Sequence, residues 1–190
     1  MNFHALLGFV LLAANALPVL CAESPIDVVA GKTGTFIHLD ASGRKNLACS
    51  GHAVALVWED NRGGAPRCHL GLKSAGSATF REHVFGKGDC FEPSVSALDG
   101  GRFLLAWEDE SGVNAAMANT SGLGPTTILA DAGGQITTTW HPQLGVFAAW
   151  SGPDSRWRRI RLAPLGIDGM NLKPGVARPA DSVPPTDDQM

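Results

Sequence analysis

Tyrosine is absent from this chain of 190 residues. Mechanisms that need a phenol as nucleophile, general acid or radical site are therefore excluded. The sequence also contains no CxxC, CxxCH, HExxH or GxSxG pattern, so we expect no metal, no cofactor, no serine-nucleophile motif and no catalytic histidine. Charged residues make up only 17% of the chain and its net charge is -3. This gives no electrostatic reason for nucleic-acid binding.

The residues that are present favour one globular all-β domain. Hydrophobic residues make up 44% of the chain, which is enough for a core. The 23 glycines and 12 prolines predict many turns. Because these turn signals recur every 8 to 12 residues or so, a long helix has no place after residue 22.

The N-terminal segment resembles a secretory signal peptide. An apolar run from Ala5 to Ala22 is interrupted only by Asn15 and Pro18, and a small residue stands before the expected cleavage point. Cleavage after residue 22 predicts a periplasmic or secreted protein without further membrane contact. The alternatives are an uncleaved anchor through residues 5–22 and lipid attachment at Cys21.

An internal repeat is the most informative feature of the sequence. The stretches AVALVWED, RFLLAWED and GVFAAWSG carry Trp58, Trp107 and Trp150, which are spaced 49 and 43 residues apart. This period is typical of a four-stranded propeller blade. Residues 23–172 are therefore predicted to form about three four-stranded blades, incomplete relative to a closed propeller, followed by a disordered Pro-rich tail over 173–190.

Eleven strands of these blades can be placed from apolar runs between turn signals. They are expected at 46–49, 53–58, 67–72 and 78–84, at 93–97, 103–107, 114–118 and 126–129, and at 137–140, 146–150 and 157–162. Residues 28–29 and 35–39 add one or two further strands. The three repeated tryptophans are expected to fill the space between blades, whereas Trp140 and Trp157 lie outside the repeat and are better placed for stacking on a ligand.

The repeat resembles the sialidase-like, BNR-repeat β-propeller family of exported bacterial proteins. Its best match is Trp58-Glu59-Asp60-Asn61-Arg62-Gly63-Gly64, and the later copies match less fully. The resemblance implies the fold, but not sialidase chemistry, which in that family needs a tyrosine nucleophile, an arginine triad and an Asp acid/base. Because a closed propeller has four to eight blades, we also expect open sheet edges, which give a route to self-association.

Two groups of residues are candidates for ligand binding. The first follows the repeated tryptophans and consists of Glu59, Asp60, Arg62, Glu108 and Asp109. Paired carboxylates can hydrolyse glycosides or bind calcium, whereas the alternative is ordinary turn chemistry. The second is the basic run RWRRIR, in which alternation places Trp157, Arg159 and Arg161 on one face of a strand. It can grip an anionic group or serve as a solvated edge strand.

Three cysteines remain after signal cleavage. In a four-stranded meander, Cys68 and Cys90 belong to the same end of the blades, and Cys49 belongs to the opposite end. We therefore expect a Cys68–Cys90 disulfide in an oxidising compartment. Cys49 is expected to stay reduced and buried.

The leading functional hypothesis is an exported, non-catalytic propeller-type module that binds a protein or a glycan. It rests on a repeated scaffold without a convergent catalytic set. The alternatives are a glycoside hydrolase of sialidase-like fold acting through the carboxylates, and a truncated propeller remnant without independent activity.

Overall fold

A computed structural model describes residues 37–38, 45–154 and 157–180. The described residues contain no helix and form three antiparallel sheets, none of them closed on itself. Each sheet is a four-stranded meander with one additional short strand. The predicted signal peptide and the predicted strand at 28–29 lie outside the described residues.

The first sheet contains strands β1 to β5. They are β1 (Ile37–His38), β2 (Leu47–Ser50), β3 (Ala53–Asp60), β4 (Arg67–Ser74) and β5 (Arg81–Phe85). β2 to β5 pair in chain order, and β1 pairs with the end of β3 at Glu59 and Asp60.

The second sheet contains strands β6 to β10. They are β6 (Cys90–Ala97), β7 (Arg102–Asp109), β8 (Gly112–Asn119), β9 (Gly122–Leu123) and β10 (Thr127–Ala130). The meander runs β6-β7-β8-β10, and β9 also pairs with β8.

The third sheet contains strands β11 to β15. They are β11 (Gly134–His141), β12 (Gly145–Asp154), β13 (Trp157–Asp168), β14 (Asn171–Pro174) and β15 (Arg178–Pro179). β11 to β14 pair in chain order, and β15 pairs with β13 beside Arg161 and Leu162.

The three sheets stack in chain order with the same polarity. Alternate residues of β7 point to opposite sides. Phe103, Leu105 and Trp107 belong to the core shared with the first sheet, whereas Leu104 and Ala106 belong to the core shared with the third. We call the side of a sheet that points towards the following sheet its forward face and the opposite side its rear face. Both faces of β7 are buried, so its sequence is a continuous apolar run.

The all-β prediction is confirmed, and each of the eleven predicted blade strands corresponds to a strand. The prediction missed β9, β14 and β15. The boundary predicted at residue 173 falls inside β14, and β15 follows it, whereas residues 181–190 of the predicted tail lie outside the described residues. Both strands pair with the long β13, which gives Pro-containing segments a sheet edge to join.

The predicted disulfide is confirmed. Cys68 in β4 and Cys90 in β6 are bonded, with their Cα atoms 5.4 Å apart. Cys49 is free, as predicted, but the prediction that it is buried is wrong. Its strand neighbours Ala48 and Ser50 both point inward, so alternation turns the thiol of Cys49 outward.

Candidate functional site

The turns that follow the repeated tryptophans lie at the same end of the sheets as the links between sheets. We call this the turn end. It includes the β3–β4 turn at residues 61–66, the β5–β6 link at 86–89, the β7–β8 turn at 110–111 and the β10–β11 link at 131–133. The backbone N–H of Glu110 donates to the carbonyl of Lys87 across it, at 3.3 Å. The candidate carboxylates all stand here.

Asp109 is held by five hydrogen bonds. One carboxylate oxygen accepts from the backbone N–H of Lys87 and from the indole N–H of Trp107, both at 2.8 Å. The other accepts from the N–H and hydroxyl of Ser111 at 2.8 and 2.5 Å and from the amide of Asn114 at 2.9 Å. Burial acts to raise the pKa of Asp109, but the Ser111 hydroxyl and the other donors outweigh it and lower that pKa.

Asp60 occupies the equivalent position in the first sheet and has a simpler partner. Its buried carboxylate accepts from the backbone N–H of Arg62 at 2.8 Å and from the guanidinium of the same residue, with Nε at 2.7 Å. This side-chain hydrogen bond is the main cause of a lowered pKa of Asp60, which burial only partly opposes. Both aspartates therefore accept the backbone N–H two residues further along the turn, as the alternative to a ligand-binding role predicts.

Glu59 and Glu108 connect consecutive sheets. Glu59 accepts the backbone N–H of Glu92 in the second sheet at 3.3 Å, and Glu108 accepts that of Gln135 in the third. Glu92 and Gln135 are the only described residues other than glycine with positive φ, at 52° and 55°. Both lie where the strand register shifts. The two glutamates thus accept from backbone N–H groups at unusual left-handed positions.

The third sheet lacks both acidic residues of this motif. Ser151 replaces the glutamate, and its hydroxyl accepts from Nε of Arg158 in the same sheet at 2.8 Å. Gly152 replaces the aspartate, and a Cβ there would stand 2.9 Å from Cγ of Arg161. The side chain of Arg161 therefore occupies the space that an aspartate would need.

The basic candidates adopt the predicted alternation on β13. Arg161 lies on the rear face and donates to the carbonyl of Pro153 at 3.2 Å, whereas Arg158 lies on the forward face. Arg159 is exposed. The side chain of Trp157 lies outside the described residues, so its predicted ligand contact stays a prediction. Asp60, Asp109 and Arg161 lie on strands of three different sheets.

A different surface is open on the forward face of the third sheet. A groove of about 520 Å³ is lined by Phe147, Leu162, Pro164, Val176, Arg178 and Pro179. Leu162 is 41% exposed, Ile160 beside it is 43% exposed and Val176 is 76% exposed. Sequence reasoning missed this groove because β15, which supplies Arg178 and Pro179, falls in the segment predicted to be disordered.

Within the described ranges, no group of three or more metal-ligating side chains is close enough to hold an ion. In the same part of the chain, no helix is long and apolar enough to cross a membrane. Comparison with protein-family models, curated proteins and solved structures finds no match. What the structure establishes is an all-β protein of three stacked antiparallel sheets with one disulfide.

Proposed function

We propose that this protein is a non-catalytic, extracytoplasmic binding module whose three sheets are consecutive blades of an incomplete β-propeller. The motif that resembles the sialidase-like family supports this assignment, as do the repeated meanders stacked with one polarity. The Cys68–Cys90 disulfide suits an oxidising compartment, in agreement with the predicted signal peptide.

The state of the carboxylates argues against a hydrolase. A glycosidase needs one carboxyl group that stays protonated near neutral pH, which requires a raised pKa. Asp60 and Asp109 both have lowered pKa values, and hydrogen bonds within the fold occupy their oxygens. Glu59 and Glu108 are engaged with backbone N–H groups of the neighbouring sheet.

The forward face of the third sheet is the binding surface that the geometry supports best. Its groove is lined by aliphatic, aromatic and proline side chains with one arginine, a composition that suits a protein partner better than a glycan. The proposal rests on a difference in exposure between equivalent positions of two sheets. Phe147 is partly exposed, whereas the equivalent Leu104 of the second sheet is fully buried under another sheet.

A photo-crosslinking amino acid at position 162 tests the proposal in the exported protein. We expect a defined protein adduct at this position and none at Ile128, which is similarly exposed at 51% but lies on the second sheet. Phe147→Asp should remove the adduct without unfolding the chain. The absence of any adduct at position 162, or equal capture at both positions, would contradict the proposed surface.

The non-catalytic part of the proposal has its own test. Aryl glycosides should be turned over no faster by the wild-type chain than by Asp109→Asn. Turnover that this substitution abolishes, with folding intact, would restore the hydrolase hypothesis.

A further inference from the structure

Two faces of the repeat lie outside both junctions between sheets. The forward face of the first sheet meets the rear face of the second, and the forward face of the second meets the rear face of the third. The same forward-to-rear contact between consecutive sheets therefore occurs twice within one chain. It leaves the rear face of the first sheet and the forward face of the third without a counterpart in the repeat.

The forward face of the third sheet carries the apolar positions used at the internal junctions. Phe147 and Ala149 stand where β7 has Leu104 and Ala106, which are fully buried. Ile160 and Leu162 extend this apolar surface along β13. The face is thus built for a sheet to lie on it.

The rear face of the first sheet is the matching partner in the repeat. Val54, Leu56 and Trp58 stand at the positions occupied in β7 by Phe103, Leu105 and Trp107, all fully buried against the first sheet. Trp58 itself is buried, with its ring stacked on that of His69 at 5.1 Å between centroids. The exposed apolar surface of this face therefore consists of the partly exposed Val54 and Leu56 and of Val84, which lies two strands away on β5 and is 60% exposed.

A polar link also recurs at the internal junctions. The amide of Asn46 donates to the carbonyl of Pro93 at 3.2 Å, and the hydroxyl of Ser94 donates to that of Ile136 at 3.5 Å. Thr137 occupies the equivalent position in the third sheet and is exposed. Its hydroxyl can make the same bond to a carbonyl of another chain.

One component of the internal junctions is missing from this face. Ser151 stands where Glu59 and Glu108 make their carboxylate links. A sheet placed here would lack this carboxylate link. Its association should be weaker than an internal junction and should depend on concentration.

We infer that a second copy of this chain is the partner of the forward face of the third sheet and that it docks through the rear face of its first sheet. This inference rests on the proposed function, because it names the partner of the same surface. The interface is heterologous, so it either closes into a ring or continues as a filament. Propellers have four to eight blades. With three sheets in each chain, two copies supply six, and a ring of two copies is the closed form.

Sedimentation equilibrium of the exported chain over a range of concentrations tests association. We expect a species of twice the chain mass that dissociates on dilution. Leu162→Asp on the forward face and Val84→Asp on the rear face should each leave a monomer. Both side chains are exposed, so folding should survive. Val176→Asp provides a second forward-face variant at a still more exposed position.

Mixing the two variants tests the head-to-tail geometry. A pair formed from Leu162→Asp and Val84→Asp retains one intact interface, so native mass spectrometry with one isotope-labelled partner should show a mixed dimer that neither variant forms alone. A wild-type chain that stays monomeric would overturn the inference. So would a Val84→Asp variant that dimerises normally, a mixture that remains monomeric, or assemblies larger than two copies.

The crosslinking experiment separates failure of this inference from failure of the proposed function. An adduct at position 162 with twice the chain mass supports both proposals. An adduct with a different protein supports the binding surface and overturns self-association. No adduct at all contradicts both.

Discussion

Strands β7 and β12 occupy the same place in two consecutive repeats but have different surroundings. Every apolar side chain of β7 is buried, because a sheet covers each of its faces. In β12, Val146, Ala148 and Trp150 are buried on the rear face, whereas Phe147 and Ala149 are partly exposed on the forward face. The difference between the strands lies in the presence of a following sheet.

The residues after the tryptophans also differ between β7, which a sheet covers on both faces, and β12, which a sheet covers on one face. In β7, Glu108 reaches forward to the third sheet, and Asp109 reaches the link that arrives from the first sheet. In β12, Ser151 and Gly152 replace them. The acidic motif is therefore best understood as a set of junction contacts, retained where they join sheets or close a turn.

The largest effect in this comparison should come from truncating equivalent forward-face residues. Leu104→Ala removes a fully buried side chain between two sheets and should lower the free energy of unfolding by about 2–5 kcal/mol. Phe147→Ala should cost much less in dilute solution, because its side chain is already partly exposed. Urea unfolding of both variants measures the difference. Equal losses would contradict the assignment of β12 as a one-sided strand.

Removal of the disulfide should have the next largest effect. Cys68 and Cys90 are both fully buried and join the first two sheets across a sequence separation of 22 residues. The double substitution to alanine should lower the free energy of unfolding by about 3 kcal/mol. The matched control is Cys49→Ala, whose thiol is free and exposed, and it should be close to neutral in the same denaturation measurement.

Loss of the carboxylate link should have an intermediate effect. Glu108→Ala leaves the backbone N–H of Gln135 without this acceptor and should cost about 1–3 kcal/mol. Ser151→Ala, at the equivalent position, removes only a contact with the exposed Arg158 and should cost less. Thermal unfolding of the two variants compares them. A larger loss for Ser151→Ala would show that the glutamate does not stabilise the junction.

Neutralising the two aspartates at neutral pH should have effects of similar or smaller size. Asp109→Asn replaces one acceptor oxygen with an NH2 group that faces donors and should cost about 1–3 kcal/mol. Asp60→Asn should cost less, because the Arg62 side chain that donates to this carboxylate is 36% exposed and can turn to water.

The pH dependence of stability follows from the lowered pKa values. An aspartate with a depressed folded-state pKa stabilises the protein above the pKa that it has when unfolded, about 3.9, and loses this contribution as the pH falls through the folded value. The gap in stability between wild type and Asp109→Asn should therefore shrink on acidification from pH 5 or so towards pH 2. A gap that widens on acidification would mean that the charged carboxylate is not the stabilising form.

Much of the fold could be predicted because its signals are local. Trp58, Trp107 and Trp150 mark equivalent strands, and the turns between them are marked by Gly and Asp. The same meander geometry placed Cys68 and Cys90 at one end. Cys49 faces outward because it alternates with Ser50, which pairs with Ala53 and points inward. The sequence does not reveal this register, so the exposure of Cys49 could not be predicted from it.

The roles of the site residues were harder to predict because their partners are distant. Glu59 and Glu108 bind backbone N–H groups 33 and 27 residues away. The residues that carry these N–H groups have a left-handed backbone conformation but are not glycines, so the sequence gives no sign of that conformation. The forward groove depends on β15, a Pro-containing strand that pairs with the distant β13. Neither feature has a periodic signal in the sequence.

Thiol labelling at the two equivalent forward positions tests the central claim most directly. In a Cys49→Ser background, a cysteine introduced by Phe147→Cys should react rapidly in dilute solution and become protected as the protein concentration rises. A cysteine introduced by Leu104→Cys should stay protected at every concentration. Equal reactivity at both positions, or protection of position 147 at all concentrations, would contradict the account of an uncovered forward face on the third sheet.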